Sequence, residues 1–271
     1  MDNSTRLLGF VSDIHAGSTR GLMPPGLVSA EGNPIGMNPF QEWLYQCWQD
    51  QQGWLAGIVG KDKYDLVFNG DLTEGKHHGA RQLISNDTGD HIDPATKLLK
   101  PVAALAAKTF VVKGTECHSE DMEHVIAEKI GAEKNPDTGR HTFDILLLDI
   151  CGVRVSVRHH FPATTRAYLE ASQHSIQMGN AIIEAHRNSD TIPRIVVGAH
   201  RHRMGHFSDG KSLTVVTPAW QGLTRHGYKV VPDGRANPGM YLLDWRAKKD
   251  GELPDVHFTR YETPKSTAMT A

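Results

Sequence analysis

Short apolar runs alternate with polar stretches along the chain, and the runs set out its elements. Residues 6–12 read as a buried strand, and the glycine- and proline-rich stretch 19–38 reads as a loop. Asn38-Pro39 predicts a helix start, with asparagine as N-cap and proline at the first helical position. Trp43, Leu44, Cys47, Trp48 and Leu55, near helical spacing, carry that helix to Val59 and read as core rather than as a ligand box. Tyr64–Phe68 predicts the next strand. Residues 75–93 are polar with little periodicity and read as an insertion over a site. Pro94–Ala107 predicts a helix, Thr109–Lys113 a strand, and Ser119–Ile130 a helix capped by Ser119 with acids in its first turn. Phe143–Ile150 and Val153–Arg158 flank Cys151-Gly152 as a β-hairpin. A long helix over Thr164–Asn188 follows. Strands over Arg194–Gly198, Ser212–Thr217, Gly239–Trp245 and Asp255–Tyr261 complete the pattern. Strand and helix alternate early and strands dominate late. That order predicts an α/β fold of two sheets packed together with helices outside. No internal repeat or low-complexity linker appears, so one domain is expected over 1–263, with 264–271 a flexible tail.

The 271 residues suffice for one large domain or two small ones, and a hydrophobic share of 39% is adequate for a packed core. Lys plus Arg is 29 and Asp plus Glu 31, a net charge of −2. The chain therefore lacks the basic excess usual in a non-specific nucleic-acid binder. Its three cysteines, Cys47, Cys117 and Cys151, are not spaced as a disulfide framework or a C-x-x-C metal site, and a reducing, cytoplasmic location is expected. The polar start Met1–Arg6 has no signal-peptide pattern, and no apolar run reaches the roughly 18 residues of a membrane span. Of 16 histidines, six fall in or beside the motifs that follow.

Each motif stands just after an apolar run. Asp13-x-His15 follows Leu7–Val11, and Gly70-Asp71 follows Tyr64–Phe68. Gly114-Thr115-Glu116-Cys117-His118 follows Phe110–Val112, His159-His160 ends Val153–Arg158, and Gly198-Ala199-His200-Arg201-His202 follows Ile195–Val197. Carboxylates and imidazoles are ligands for divalent transition metals. Strand ends in an α/β sheet can gather them from distant parts of a chain. With an extended backbone, Asp13 and His15 point the same way and can grip one ion. Glycine at 70 permits a tight turn that projects Asp71, whose two oxygens can serve two cations. His200 and His202 can address two adjacent metals. Neighbours in a strand face opposite ways, so only one of His159 and His160 need be a ligand, with His159 favoured.

In this order the motifs resemble the calcineurin-like metallophosphoesterase superfamily, whose pattern runs D-x-H, G-D, G-N-H-D/E, H and G-H-x-H. The resemblance spans residues 7–202. It implies a four-layer sandwich of two mixed sheets between helices, and a site for two divalent metal ions. Asp13, His15 and His202 would hold the first ion, and Asp71 would bridge both. His200 and His159 or His160 would hold the second. The activity implied is hydrolysis of phosphoester bonds by a metal-bridging hydroxide. Mixed oxygen and nitrogen ligands suit manganese, iron, zinc or nickel, and manganese is expected.

Two departures qualify the resemblance. The third motif lacks the family's asparagine. Glu116 is expected to replace it on the second metal, with His118 as the catalytic histidine that assists the leaving oxygen; the alternative for Glu116 is a helix cap. This variant motif is similar to phage or prophage members of the superfamily. The second motif continues Leu72-Thr73-Glu74-Gly75-Lys76, without the phosphate-gripping arginine of the protein phosphatases, and Lys76, His77, His78 and Arg81 read as a solvated loop. A phosphodiester or nucleic-acid substrate, DNA or RNA, is therefore expected, with no membrane partner. The alternatives are a phosphomonoesterase on a small molecule or phosphoprotein, or a non-catalytic scaffold of the same fold.

Overall fold

A computed structural model describes residues 5–76, 82–119, 121–162, 169–230 and 236–264. In chain order its elements are β1 (Leu7–Val11), β2 (Leu27–Val28), β3 (Pro34–Ile35), α1 (Pro39–Val59), β4 (Asp65–Asn69), α2 (Gly89–Ala103), β5 (Lys108–Val112), α3 (Glu116–Ser119) and α4 (Met122–Lys129). They continue with β6 (Leu146–Ile150), β7 (Val153–His160), α5 (Glu170–Asn188), β8 (Ile195–Ala199), β9 (Gly205–Ser208), β10 (Leu213–Val216), α6 (Arg225–Val230), β11 (Gly239–Asp244) and β12 (Asp255–Arg260). Two five-stranded sheets have the orders β12-β11-β1-β4-β5 and β6-β7-β8-β10-β9, and β2 and β3 form a small antiparallel pair. Both large sheets are mixed. Strands β1, β4 and β5 run parallel, as do β7, β8 and β10, with antiparallel strands at the edges.

The sheets pack face to face. Leu8, Phe10, Val67 and Tyr241 of the first share a buried cluster with Val155, Val157, Val197 and Val215 of the second. Each such side chain contributes roughly 1.5–3 kcal/mol by leaving water. The other face of the first sheet (Val11, Leu66, Phe68, Val111) packs on α1, α2 and α4 through Trp48, Leu99 and Ile126. On the second sheet, Val196 and Val216 pack on Met178 and Ala181 of α5. The layers thus run helix, sheet, sheet, helix, the α/β architecture expected. Strands β1, β4 and β8 are buried along their whole length because both faces are covered, so they read as continuous apolar runs.

Helix α1 begins where Asn38-Pro39 predicts. The Asn38 side chain accepts from the Phe40 and Gln41 N–H groups, and Gln41 Oε1 accepts from Asn38 N. Other boundaries differ. Helix α2 starts at Gly89, so Pro94 lies inside it; Asp87 accepts from Gly89 N, and the N–H groups of His91 and Ile92 donate to Thr88 O. Helix α4 starts at Met122 after Asp121, and Ser119 closes the separate short α3 instead of capping α4. The β2–β3 pair, β9 and α6 were not expected; β9 is short and largely exposed and carries no clear period. The first turns of the helix expected from Thr164, and the tail beyond Pro264, lie outside the described residues. No helix among the described residues is long and apolar enough to cross a membrane.

Because β1, β4 and β5 are parallel, as are β7 and β8, their carboxyl ends lie on one side of the two packed sheets. All five motifs sit there.

Candidate metal centre

The loops that carry the motifs have left-handed backbone. Among the described residues seven that are not glycine have positive φ, and five of them are Asp13 (51°), His15 (48°), Asp71 (51°), His200 (71°) and His202 (53°). Left-handed backbone costs a non-glycine residue roughly 1–2 kcal/mol, and such strain clusters at functional sites. The expected extended path through Asp13 and His15 is therefore corrected. Strand β1 ends before them, and a twisted turn rather than strand alternation brings the two side chains together. Hydrogen bonds hold the turn: Asp13 N donates to Gly70 O, His15 N to Asp71 O and Ala16 N to Leu72 O, at 3.0, 3.0 and 3.1 Å.

Two glycines make the approach possible. A Cβ on Gly70 (φ 76°) would come within 2.5 Å of His159 Nδ1 and 2.6 Å of Gly114 Cα. A Cβ on Gly114 would collide with Asp71 N and Oδ1. Glu123 of α4 ties both loops together, accepting from Leu72 N at 3.1 Å and Gly114 N at 2.7 Å.

Two groups of potential ligands result. In the first, Asp13, His15 and His202 place donor atoms within 4.8 Å of one another. His202 Nε2 is 3.4 Å from Asp13 Oδ1 and 3.3 Å from His15 Nε2, and His15 Nε2 is 4.0 Å from Asp13 Oδ1. In the second, Asp71, His159 and His200 converge. Asp71 Oδ2 is 3.0 Å from His159 Nε2 and 3.9 Å from His200 Nδ1. The same oxygen is 3.9 Å from His15 Nε2, so Asp71 faces both groups. Asp13, His15, Asp71 and His159 are almost fully buried, while the side chains of His200 and His202 are 30% and 28% exposed at the rim.

Each ring is oriented from behind. His159 Nδ1 is 2.7 Å from Asn69 O, a bond in which the N–H donates and Nε2 is left toward Asp71. His15 Nδ1 faces Glu74 Oε2 at 2.9 Å, and Glu74 in turn accepts from Gln221 Nε2. Burial opposes protonation of His159, but the Asp71 and Asp13 carboxylates outweigh it and hold the imidazole up at about 10. Burial likewise opposes protonation of His15, and Glu74 raises it. Burial pushes Asp71 up, yet its His159 and His200 neighbours hold it well below the usual carboxylate range. Asp13 is lowered too, against burial, chiefly by His202. Glu123 goes the other way: burial and the nearby Asp71 charge push it up to about 7.

These residues fit divalent ions. Ligands bound at about 2.0–2.2 Å to one ion lie roughly 3–4 Å apart, as these donors do. Among the described residues Asp13 Oδ1 and His159 Nε2 are buried without a hydrogen-bond partner, although each faces other site atoms. Buried polar atoms are ordinarily paired, and a shared cation would pair both.

The remaining expected residues are placed as follows. His118 stands beside the first group: its Nδ1 is 2.7 Å from Glu74 O, its ring is 4.8 Å from that of His15, and His15, Glu74 and His118 form a third cluster of donor atoms. His160 is exposed, stacked obliquely on His200 at 4.5 Å and outside all three clusters, so His159 is the histidine that reaches Asp71. Glu116 is exposed and also outside the clusters, and Thr115 is the residue of this motif that faces Asp71. Thr115 N donates to Asp71 Oδ1 at 2.6 Å, and its hydroxyl is 3.2 Å from Asp71 Oδ2 and 3.1 Å from His200 Nδ1. Glycine at 114 lets the chain approach Asp71 so closely that the next residue, not the one after, faces the carboxylate. Glu74 was not foreseen. It lies three residues beyond Asp71, and only the hydrogen bonds between the two loops turn it toward His15. Of the loop residues expected to be solvated, Lys76 is exposed, and His77, His78 and Arg81 lie outside the described residues.

No protein-family model and no curated protein matches the chain. Among solved structures it is similar in shape to an archaeal phosphodiesterase, with 11% identity over 94% of this chain and 99% of the other and a TM-score of 0.45. Vps29 from Chaetomium thermophilum shares 11% identity over 96% and 99% of the two chains, with a TM-score of 0.43. Vps29 from Entamoeba histolytica complexed with zinc shares 11% over 95% and 99%, with a TM-score of 0.40.

Proposed function

We propose that this protein is a metal-dependent phosphoesterase with two divalent ions. Asp13, His15 and His202 would hold one, Asp71, His159 and His200 would hold the other, and Asp71 faces both groups. The observation that carries this reading is the pair of histidine–carboxylate clusters meeting at Asp71 on strained backbone. Ions so held would neutralise charge on a phosphoryl group and acidify a water for attack. Manganese is the first ion to test, because both clusters mix carboxylate with imidazole.

The chain's own residues perform the rest. Asn69 O and Glu74 fix the ring orientations of His159 and His15. Thr115 holds Asp71 by two contacts and adds a hydroxyl oxygen next to His200. His118 donates its Nδ1 proton to Glu74 O, so Nε2 is the atom that, in the imidazolium form, would protonate a leaving oxygen. Asp71 and His118 are thus the residues assigned to catalysis.

A phosphodiester or a nucleotide-like substrate is favoured over a phosphoprotein, because the second motif has no arginine and a cavity of about 800 Å³ adjoins the second cluster. The reading keeps the cytoplasmic setting expected from three cysteines that are not spaced as a disulfide framework. The test combines metal analysis with turnover of bis-p-nitrophenyl phosphate under added manganese. Two ions per chain and metal-dependent hydrolysis are expected. Fewer than two ions and no hydrolysis would instead mark a scaffold.

A further inference from the structure

The cavity of about 800 Å³ beside the second cluster is lined by Thr115 and His159 and also by three cationic side chains, Lys113, Arg140 and Arg158. Two of the three are neutralised. Lys113 Nζ is 2.8 Å from Asp144 Oδ1, and Arg140 pairs with Asp121. Arg158 differs. It forms no ion pair with a described residue, and its Nε, like that of Arg140, is buried without a hydrogen-bond partner. A half-buried cation without a partner costs free energy, and its planar fork matches a phosphate group.

Arg158 and His159 are adjacent at a bulge in β7; His159 is buried with Nε2 3.0 Å from Asp71 Oδ2, whereas Arg158 is half-exposed on the cavity wall and no hydrogen bond or ion pair joins its side chain to any of the six cluster residues. An anion on Arg158 is therefore not the group held at the two clusters. We propose that Arg158 binds a second, non-scissile phosphate of the substrate, so that the preferred substrate is a small phosphodiester bearing a terminal phosphate. This rests on the phosphoesterase reading above and adds what that reading leaves open. A cavity of this size takes a nucleotide-sized ligand. Glu116, exposed on the same wall, is a like charge that disfavours a run of further phosphates there.

The test compares the dinucleotide TpT with its 5′-phosphorylated form pTpT. In wild-type protein kcat/KM for pTpT exceeds that for TpT. A charge-assisted contact of this kind is worth about 10- to 100-fold, so Arg158→Ala lowers the preference ratio by that factor, and Arg158→Lys lowers it less. Arg140→Gln changes the ratio less than Arg158→Ala, since Asp121 already occupies Arg140. Calorimetry in EDTA supplies a second readout: wild-type protein binds pTpT more tightly than TpT, and Arg158→Ala does not discriminate. A wild-type protein without either preference, or an Arg158→Ala protein that keeps both, overturns the proposal. If neither dinucleotide is hydrolysed with any metal while the EDTA preference exists and is lost in Arg158→Ala, the phosphoesterase reading fails and the subsite stands.

Discussion

The Asp13–His15–His202 cluster and the Asp71–His159–His200 cluster use the same chemistry and are held in different ways. In the first, the supporting group is a side chain: Glu74, anchored by Gln221, faces His15 Nδ1. In the second it is backbone: the Asn69 carbonyl orients His159, and the Thr115 amide holds Asp71. The second cluster is also clamped, because Glu123 ties the loops after β4 and β5 to α4. Side-chain support can be removed without disturbing the main chain. Backbone support cannot, so the orientation of His159 and Asp71 is coupled to folding, whereas His15, although it stands on a turn held by backbone hydrogen bonds, has a ring that one side chain tunes.

Asp71→Asn removes the one group common to both clusters and has the largest effect. Metal content should fall below two ions per chain, and turnover should drop by more than the roughly 10- to 100-fold typical of a supporting partner. Undiminished turnover with two bound ions would refute the shared role of Asp71. Glu74→Gln separates the clusters. It should weaken one metal about 10- to 100-fold and spare the other, read as two unequal steps in a metal titration. A loss spread equally over both steps would erase the distinction drawn here.

Gly70→Ala attacks the second cluster through the backbone. Left-handed φ alone costs roughly 1–2 kcal/mol, and the collision with His159 and Gly114 adds to it. Urea unfolding should show that loss even in EDTA, whereas Glu74→Gln should change metal-free stability less. Equal losses would mean that support by side chain and by backbone are not different in kind.

The smallest effect is a pH dependence. Glu123 is raised from 4.5 to about 7 in the folded chain, so folding favours its protonated form. Its contribution is complete below pH 4.5 and declines as pH rises toward about 7. In EDTA, the wild type should lose stability over that interval relative to Glu123→Gln. Parallel curves for the two proteins would show that Glu123 is already ionised.

The strands were legible because β1, β4 and β8 are apolar throughout, and α1 because Asn38, Pro39 and Gln41 announce its start. Asp13, His15, Asp71, His159, His200 and His202 were legible as candidates by their position just after apolar runs, and the geometry gathers all six. Three things were hidden. The turns after β1 and β8 are left-handed, which no side-chain period reveals. Thr115 rather than Glu116 faces Asp71, because the glycine at 114 brings the chain close one residue early. Glu74 and Glu123 act through tertiary contacts; in the linear chain Glu123 reads as a first-turn acid of a helix, and Glu74 only as part of the stretch after Asp71. Helix α2 was misjudged at its start because the polar residues before Pro94 concealed a turn stabilised by Asp87.

Asp13, His15, Asp71, His200 and His202 all occupy main-chain conformations that glycine alone adopts freely. Transplanting these five letters onto another scaffold would therefore not transfer the centre. The recipient would have to reproduce the handedness of each bend first, and a host with relaxed turns at those positions would splay the same imidazoles and carboxylates apart.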